Sequence, residues 1–213
     1  MKVLIINFNR LTLPMNMANW VAERGCEPVF IDNASDYLPL IQYYNDTPFN
    51  VLRMDKNYGH TVIWTQDIVN KLGIAGNYIV TDPDLDLTGI PDDFLSVLEE
   101  GLRRYPQFNK CGFSLEINDL PNQVTIDWES RYWQKPLDSM YFSADIDTTF
   151  ALYKVNRITL SGIRTNRPYT AKHVPWYYDL YDKLPEDELY YYHTQSADIR
   201  AHSNILDRKP GRW

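Results

Sequence analysis

Asn77-Tyr78-Ile79-Val80-Thr81-Asp82-Pro83-Asp84-Leu85-Asp86 is the stretch that decides the architecture. Its first half is an uncharged, β-prone run, and its second half sets a carboxylate at every other residue. Pro83 cannot donate to a sheet ladder, which suits a strand that is leaving its sheet. In an extended segment alternate residues point the same way, so Asp82, Asp84 and Asp86 are expected to present oxygens to one point. Three carboxylates this close repel unless a cation sits among them or one keeps its proton. Hard oxygen ligands favour Mn2+ or Mg2+, usually shared with substrate phosphate. The plainer alternative is a solvated acidic loop leading into the next helix.

Outward from this strand, the chain alternates strand and helix. Val3 to Phe8 is a near-continuous apolar run, as in a parallel strand buried on both faces. Met17, Trp20, Val21 and Arg24 share a helical face that Gly25 closes. Pro28 to Ile31 is a second strand, ending at Asp32-Asn33, and Asn50 to Met54 a third, ending before Lys56-Asn57-Tyr58-Gly59. Thr65, Ile68, Val69 and Leu72 predict a helix closed by Gly73. Phe94, Leu98 and Leu102 predict another, with Asp92-Asp93 at its electropositive start. Such alternation indicates an α/β fold with helices on both faces of the sheet.

Beyond residue 110 the pattern loosens. Lys110 to Leu115 and Thr148 to Tyr153 read as strands, with an aromatic insertion between them that carries Trp128, Tyr132 and Trp133. With no repeat or linker in evidence, residues 1–213 are expected to form a single domain. Its nucleotide-binding half would be 1–105 and its acceptor half 106–213.

Ligands of open α/β sheets bind outside the carboxyl ends of the strands. The polar residues there are Asn7, Asn9 and Arg10; Asp32 and Asn33; Asn57, Gly59 and His60; and Asp82, Asp84 and Asp86. Any one is ordinary turn chemistry. Four successive strands delivering them to one edge favour a binding site.

Composition removes several classes. A net charge of -7 argues against a broad grip on nucleic acid or anionic lipid. Cys26 and Cys111 are too few for a disulfide framework or a zinc knuckle and suit a reducing compartment. The four-residue apolar run before Asn7 is too short for a signal peptide, and no stretch is long enough for a membrane span. A cytoplasmic protein is expected. Neither a G-x-G-x-x-G nor a P-loop motif occurs, and no G-x-S-x-G nucleophile elbow. The 16 tyrosines suit clefts where sugars stack, or equally a tyrosine-rich core and rim.

Over residues 1–90 the motifs resemble the GT-A glycosyltransferases of the large family-2-like group. Asn7-Phe8-Asn9-Arg10 matches the turn after that family's first strand, and Ile31-Asp32-Asn33-Ala34-Ser35 its Asp-Asn-x-Ser signature. Asn57-Tyr58-Gly59 matches the motif opening the next helix, and Asp82-Pro83-Asp84 the metal-binding Asp-x-Asp. The whole chain is also similar to glycosyltransferase domains encoded by large algal viruses, which would place it in the host cytoplasm.

The resemblance implies a GT-A fold with a mainly parallel sheet, and a metal-dependent transfer of a hexose from a UDP-sugar to a glycan, glycoprotein or other hydroxyl acceptor. It implies that Asp32 meets the base, that Asn9 and Arg10 frame the nucleoside, that Asp82 sits near ribose and metal, and that Asp84 binds the metal. A carboxylate at Asp32 would accept the N3–H of uracil and repel the N3 lone pair of cytosine. Asp145-Ile146-Asp147-Thr148-Thr149-Phe150 occupies the place of a strand opposite the donor sugar, so Asp147, helped by Asp145, is the candidate general base. The family's Glu-Asp pair near the acceptor is absent.

Among the histidines, His60 follows Gly59 and is placed near the donor phosphates. His173, in Lys172-His173-Val174-Pro175-Trp176-Tyr177, suits a third metal ligand or, with Trp176, a sugar contact. His193 and His202 read as structural. Three rivals remain. Asp84-Leu85-Asp86-Leu87-Thr88 fits the nucleophile motif of haloacid-dehalogenase phosphohydrolases, though on the fourth strand instead of the first. A nucleotidyltransferase would need a glycine-rich loop where Asn9-Arg10-Leu11-Thr12 stands. A non-catalytic sugar-binding module would keep the fold without turnover.

Overall fold

The computed structural model describes residues 1–154, 156, 158–178 and 184–195; His202 lies outside them. The first half runs β1 (Lys2–Asn7), α1 (Thr12–Glu23), β2 (Glu27–Asp32), α2 (Leu38–Asp46) and β3 (Asn50–Arg53). A 3-10 turn at Gly59–Thr61 leads into α3 (Val62–Thr65) and α4 (Ile68–Lys71), then β4 (Tyr78–Thr81), β5 (Leu85–Asp86) and α5 (Phe94–Arg104). The second half runs β6 (Lys110–Gly112), β7 (Ser114–Leu115), α6 (Gln123–Glu129), a 3-10 turn at Ser130–Trp133, and β8 (Tyr141–Asp145). It continues with β9 (Ala151–Tyr153), β10 (Ser161–Thr165), β11 (Thr170–His173), a 3-10 turn at Val174–Tyr177 and α7 (Glu186–Thr194).

Eight strands form one sheet in the order β3-β2-β1-β4-β9-β6-β10-β8, and β5-β11-β7 form a small second sheet. In the large sheet β9 and β8 run against the other six strands. The expected α/β fold with a mainly parallel central sheet is therefore present, and strands of both halves of the chain share that sheet. Strand alternation explains the continuous apolar runs. Val3, Ile5, Phe30 and Ile79 face a core completed by Met17, Leu40, Phe94 and Leu98 from α1, α2 and α5. Leu4, Ile6, Val29 and Val80 face the opposite core, closed by Val62, Ile63, Ile68 and Val69 from α3 and α4.

Several expectations change. The helix anticipated through Thr65–Leu72 is broken, because Asp67 adopts φ 53°, a left-handed conformation that interrupts the helical ladder between α3 and α4. The Lys110–Leu115 strand divides at Phe113 and serves two sheets. Thr148–Phe150 precede β9 as a loop, and the aromatic insertion is α6 with its 3-10 turn. Asp92 and Asp93 do not cap α5 through their side chains: Asp92 pairs with Arg24 at 2.9 Å, and Asp93 accepts from the Tyr169 hydroxyl at 2.8 Å.

Candidate active site

The carboxyl ends of β1 to β4 open onto a cavity of about 230 Å³. Asn7, Arg10, Asn33, Asn57, Gly59, His60, Asp82 and Asp84 line it, as their positions at the strand ends foretell. Tyr191 of α7 and Gln195 close it from the far end of the chain, and sequence reasoning missed both. A tyrosine-rich helix carries no local mark of the partner it covers.

Two residues expected here are engaged elsewhere. Asp32 is fully buried and does not line the cavity. Its carboxylate accepts from the Ser35 hydroxyl, from Ser35 N at 3.1 Å and from Arg53 Nε at 3.1 Å, which holds the β2–α2 turn. Asn9, at φ 54°, accepts from Asp36 N and Tyr37 N and donates to Asp36 Oδ1, so it fastens the β1–α1 turn to the start of α2. Asparagine tolerates this left-handed backbone better than most residues.

Arg10 is the electrostatic centre of the cavity. Its Nη1 donates to Asp84 Oδ2 at 2.7 Å, its Nε lies 2.9 Å from Glu188 Oε1, and its guanidinium sits 3.7 Å from the Tyr191 ring centroid. Burial opposes the charge on Arg10, but Glu188 and Asp84 more than offset it and raise its pKa. α7 is tied down further where Asp187 accepts from Leu11 N and Thr12 N at 2.9 and 2.7 Å.

Asp82 also borders a second cavity, of about 300 Å³, lined by Glu129, Asp147, Thr149, Arg164, His173 and Trp176 among others. Asp82 N donates to Thr148 O at 2.9 Å, and the Thr148 hydroxyl donates to Asp82 Oδ1 at 2.5 Å, so the Thr148 loop is stitched to the end of β4. Burial, with Asp147 and Asp84 nearby, pushes the Asp82 carboxyl well above the usual carboxylate range. Burial also acts against ionisation of Asp84, yet His173 and Arg10 outweigh it and hold that carboxyl below the usual range. Asp147 Oδ1 accepts from Thr148 N at 2.6 Å, and no described residue donates to its Oδ2. The Glu129–Arg164 pair, 2.6 Å apart and buried, was not foreseen; burial pushes the Glu129 carboxyl up against the pull of Arg164.

Asp145 and Asp86 do not join these groups. Asp145 ends β8 and lines a third, neighbouring cavity. Asp86 pairs across β5–β11 with Lys172 and accepts from Thr88 N at 2.8 Å. The alternation argued from the sequence fails because the chain bends at Pro83 and Asp84 before β5 enters the second sheet.

The residues present fit a divalent cation. Asp84 Oδ1 is buried with no hydrogen-bond partner, and His173 Nε2 lies 3.4 Å from Asp84 Oδ2. Val174 N donates to Asp84 O at 3.0 Å, which holds β11 and its His173 against the acid. Among the described residues no three His, Cys, Asp or Glu side chains close into a metal cage. A cation shared with phosphate oxygens needs only one or two protein carboxylates. No helix of the described residues is long and apolar enough to cross a membrane.

No family model matches the chain, and no curated protein sequence matches it. Among solved structures it is similar to the mannosyltransferase PcManGT from Pyrobaculum calidifontis in complex with GDP-Man and Mn2+, at 14% identity and a TM-score of 0.50 over 72% of this chain. The match spans 44% of that structure's chain. Slighter similarities reach TarS 1-349 of S. aureus (TM-score 0.44, 12% identity, 72% of this chain and 46% of that one) and HddC from Yersinia pseudotuberculosis (0.46, 11%, 87% and 80%). Those two are too distant to weigh in the assignment. The strand order, the crevice at the carboxyl ends and the match to the mannosyltransferase agree on one architecture: the chain has the α/β fold of the GT-A glycosyltransferases.

Proposed function

We propose that this protein is a metal-dependent glycosyltransferase that moves a hexose from a UDP-sugar to a hydroxyl of a glycan or glycoprotein. The observation that carries this reading is that two cavities meet at Asp82, one built from strand-end loops and α7, the other from acidic, imidazole and indole side chains.

The first cavity takes the nucleotide. Its basic side chains are Arg10 and His60, and Arg10 is neutralised by Asp84 and Glu188. Among the described residues little charge is left for a diphosphate, which supports a bound cation in that role. Asp84, with Asp82 and His173, would hold Mn2+ or Mg2+, which would neutralise the diphosphate and stabilise charge on the leaving group. Among the described residues nothing accepts from Asn57 Nδ2 or Gln195 Nε2, and such amides suit the two carbonyl oxygens of uracil. Gly59, at φ 72°, opens the 3-10 turn that sets His60 at the phosphate end.

The second cavity takes the transferred sugar and the acceptor. Trp176, buried and packed 4.6 Å from the His173 ring, gives the sugar an apolar wall. Asp147, fixed through Oδ1, offers Oδ2 to take the proton of the attacking hydroxyl as an inverting transfer proceeds. The phosphohydrolase alternative finds less support, because Asp84 is locked in its ion pair and Asp86 is held in a turn with Thr88.

Incubation with a panel of UDP- and GDP-sugars and Mn2+ tests the reading. Release of UDP, suppressed by EDTA, is the expected outcome. Phosphate release from simple esters would favour the phosphohydrolase, and sugar binding without turnover a binding module. The mannosyltransferase of similar fold was captured with GDP-Man, so preferential GDP-sugar turnover would overturn the uridine assignment alone.

A further inference from the structure

A third cavity, of about 470 Å³, adjoins the second and shares Trp128 and Tyr132 with it, but shares no lining residue with the nucleotide cavity. Its wall carries Arg131 and Lys135. Arg131 lies 3.5 Å from the centroid of the Trp128 ring and donates through Nε to the Trp128 carbonyl at 3.0 Å. No described residue accepts from its Nη groups. The other described arginines, from Arg10 to Arg167, each pair with a carboxylate. Among the described residues Arg131 alone of the arginines does not, in a chain whose net charge is -7. Lys135 likewise has no ion-pair partner among them.

Two cations and one acid share this wall. Ser143 N donates to Lys135 O at 2.8 Å, which fixes Lys135 beside the middle of β8. Asp145, the acid on this wall, ends the same strand, two residues or roughly 6–7 Å farther on toward Asp147. Lys135 therefore stands beside β8 short of its acidic end, and Arg131, stacked on Trp128, shares the wall with it. A guanidinium stacked on an indole is already oriented, and its planar N–H fork matches a carboxylate or phosphate edge.

We propose that this cavity recognises the anionic group of an acidic saccharide acceptor, a uronate carboxylate or a sugar phosphate, through Arg131 and Lys135. The inference rests on the glycosyltransferase reading for what happens next, but not for the binding itself. The acceptor ring spans Trp128 and Tyr132 and reaches the second cavity, with its anion held on Arg131 and Lys135.

Calorimetry with the Mn2+- and UDP-loaded protein tests this, using a glucuronate-terminated tetrasaccharide, its carboxyl-reduced neutral counterpart, and a 6-phosphorylated oligosaccharide. At least one acidic probe should bind roughly tenfold more tightly than the neutral one at 50 mM salt, with the gap narrowing at 500 mM as exposed charges are screened. The stronger acidic probe identifies whether carboxylate or phosphate is the natural group. Arg131→Gln with Lys135→Gln should abolish the preference and leave UDP affinity unchanged. Equal binding of acidic and neutral probes, no binding of either acidic probe, or a preference that survives the double substitution would overturn the proposal. Sugar-nucleotide turnover is read separately, so failure here leaves the transferase reading standing, and absence of turnover with selective acidic binding overturns that reading alone.

Discussion

Arg10 donates to Asp84 Oδ2 at 2.7 Å although 74 positions separate the two residues, and both side chains are about 95% buried. Glu188 flanks the same guanidinium. Removing it leaves two buried carboxylates facing each other without compensation. Arg10→Met should therefore destabilise the fold by about 3–5 kcal/mol. Under the proposed metal role, Mn2+ should recover more stability in this variant than in the wild type. Urea titrations with and without Mn2+ measure both, and a variant as stable as the wild type would remove Arg10 from the centre of the site.

Asp84→Asn should weaken UDP binding at least tenfold in Mn2+ and have little effect in EDTA, since the lost carboxylate acts through the cation. Calorimetry checks it. If EDTA leaves wild-type binding unchanged, the metal role fails.

Asp147→Asn should lower turnover by about 10²–10⁴-fold, the usual contribution of general-base catalysis, with UDP affinity nearly unchanged. Asparagine preserves the Oδ1 contact to Thr148 N and removes only the basic oxygen. Near-normal transfer, or a product that keeps the donor's anomeric configuration, would rule the role out.

Asp32→Ala should destabilise by about 2–4 kcal/mol, because Ser35 and Arg53 lose a buried acceptor. Since this carboxylate does not line the cavity proposed for the nucleotide, Asp32→Asn should keep the ratio of UDP to CDP affinity within about twofold. Loss of that ratio would return base recognition to Asp32.

Lys110 gives a pH-dependent expectation. Its ammonium is buried among the carbonyls of Ile146 and Thr159, and burial pushes its pKa from 10.5 down to about 8, with Asp147 pulling the other way. The folded protein releases this proton before the unfolded chain does. Between about pH 8 and 10.5 the unfolded state therefore binds more protons, and the stability due to this residue rises with pH. Relative to Lys110→Met, the wild type should gain roughly 1–2 kcal/mol between pH 7.5 and 10, after a discount for screening. A pH-independent gap would show that the amine keeps its ordinary pKa.

The parts legible in the sequence are those written in local pattern. β1, β2 and β4 are buried on both faces and read as unbroken apolar runs, and their polar ends mark the crevice. The parts that were not legible depend on distant partners. Glu188 and Tyr191 lie on a helix of mixed polarity, and only the fold brings them to Arg10. Glu129 and Arg164 are single charges whose burial follows from their pairing and has no periodic signal. β10 and β11 are short, with polar residues at buried or half-buried positions. Asp86 misled because strict alternation assumes a straight chain, whereas Pro83 and Asp84 carry the strand out of its sheet.

The position of β9 bears on how the protein assembles. It enters the large sheet between β4 and β6, antiparallel to both, and supplies the second partner of Tyr78–Val80. A nascent or truncated chain that stops near residue 105 would hold β1 to β4 with the fully buried ladder of β4 exposed as an edge. A bare, apolar edge strand is a template for intermolecular pairing. The amino-terminal stretch is therefore a poor candidate for separate expression: it should aggregate until residues 151–153 arrive to cover it.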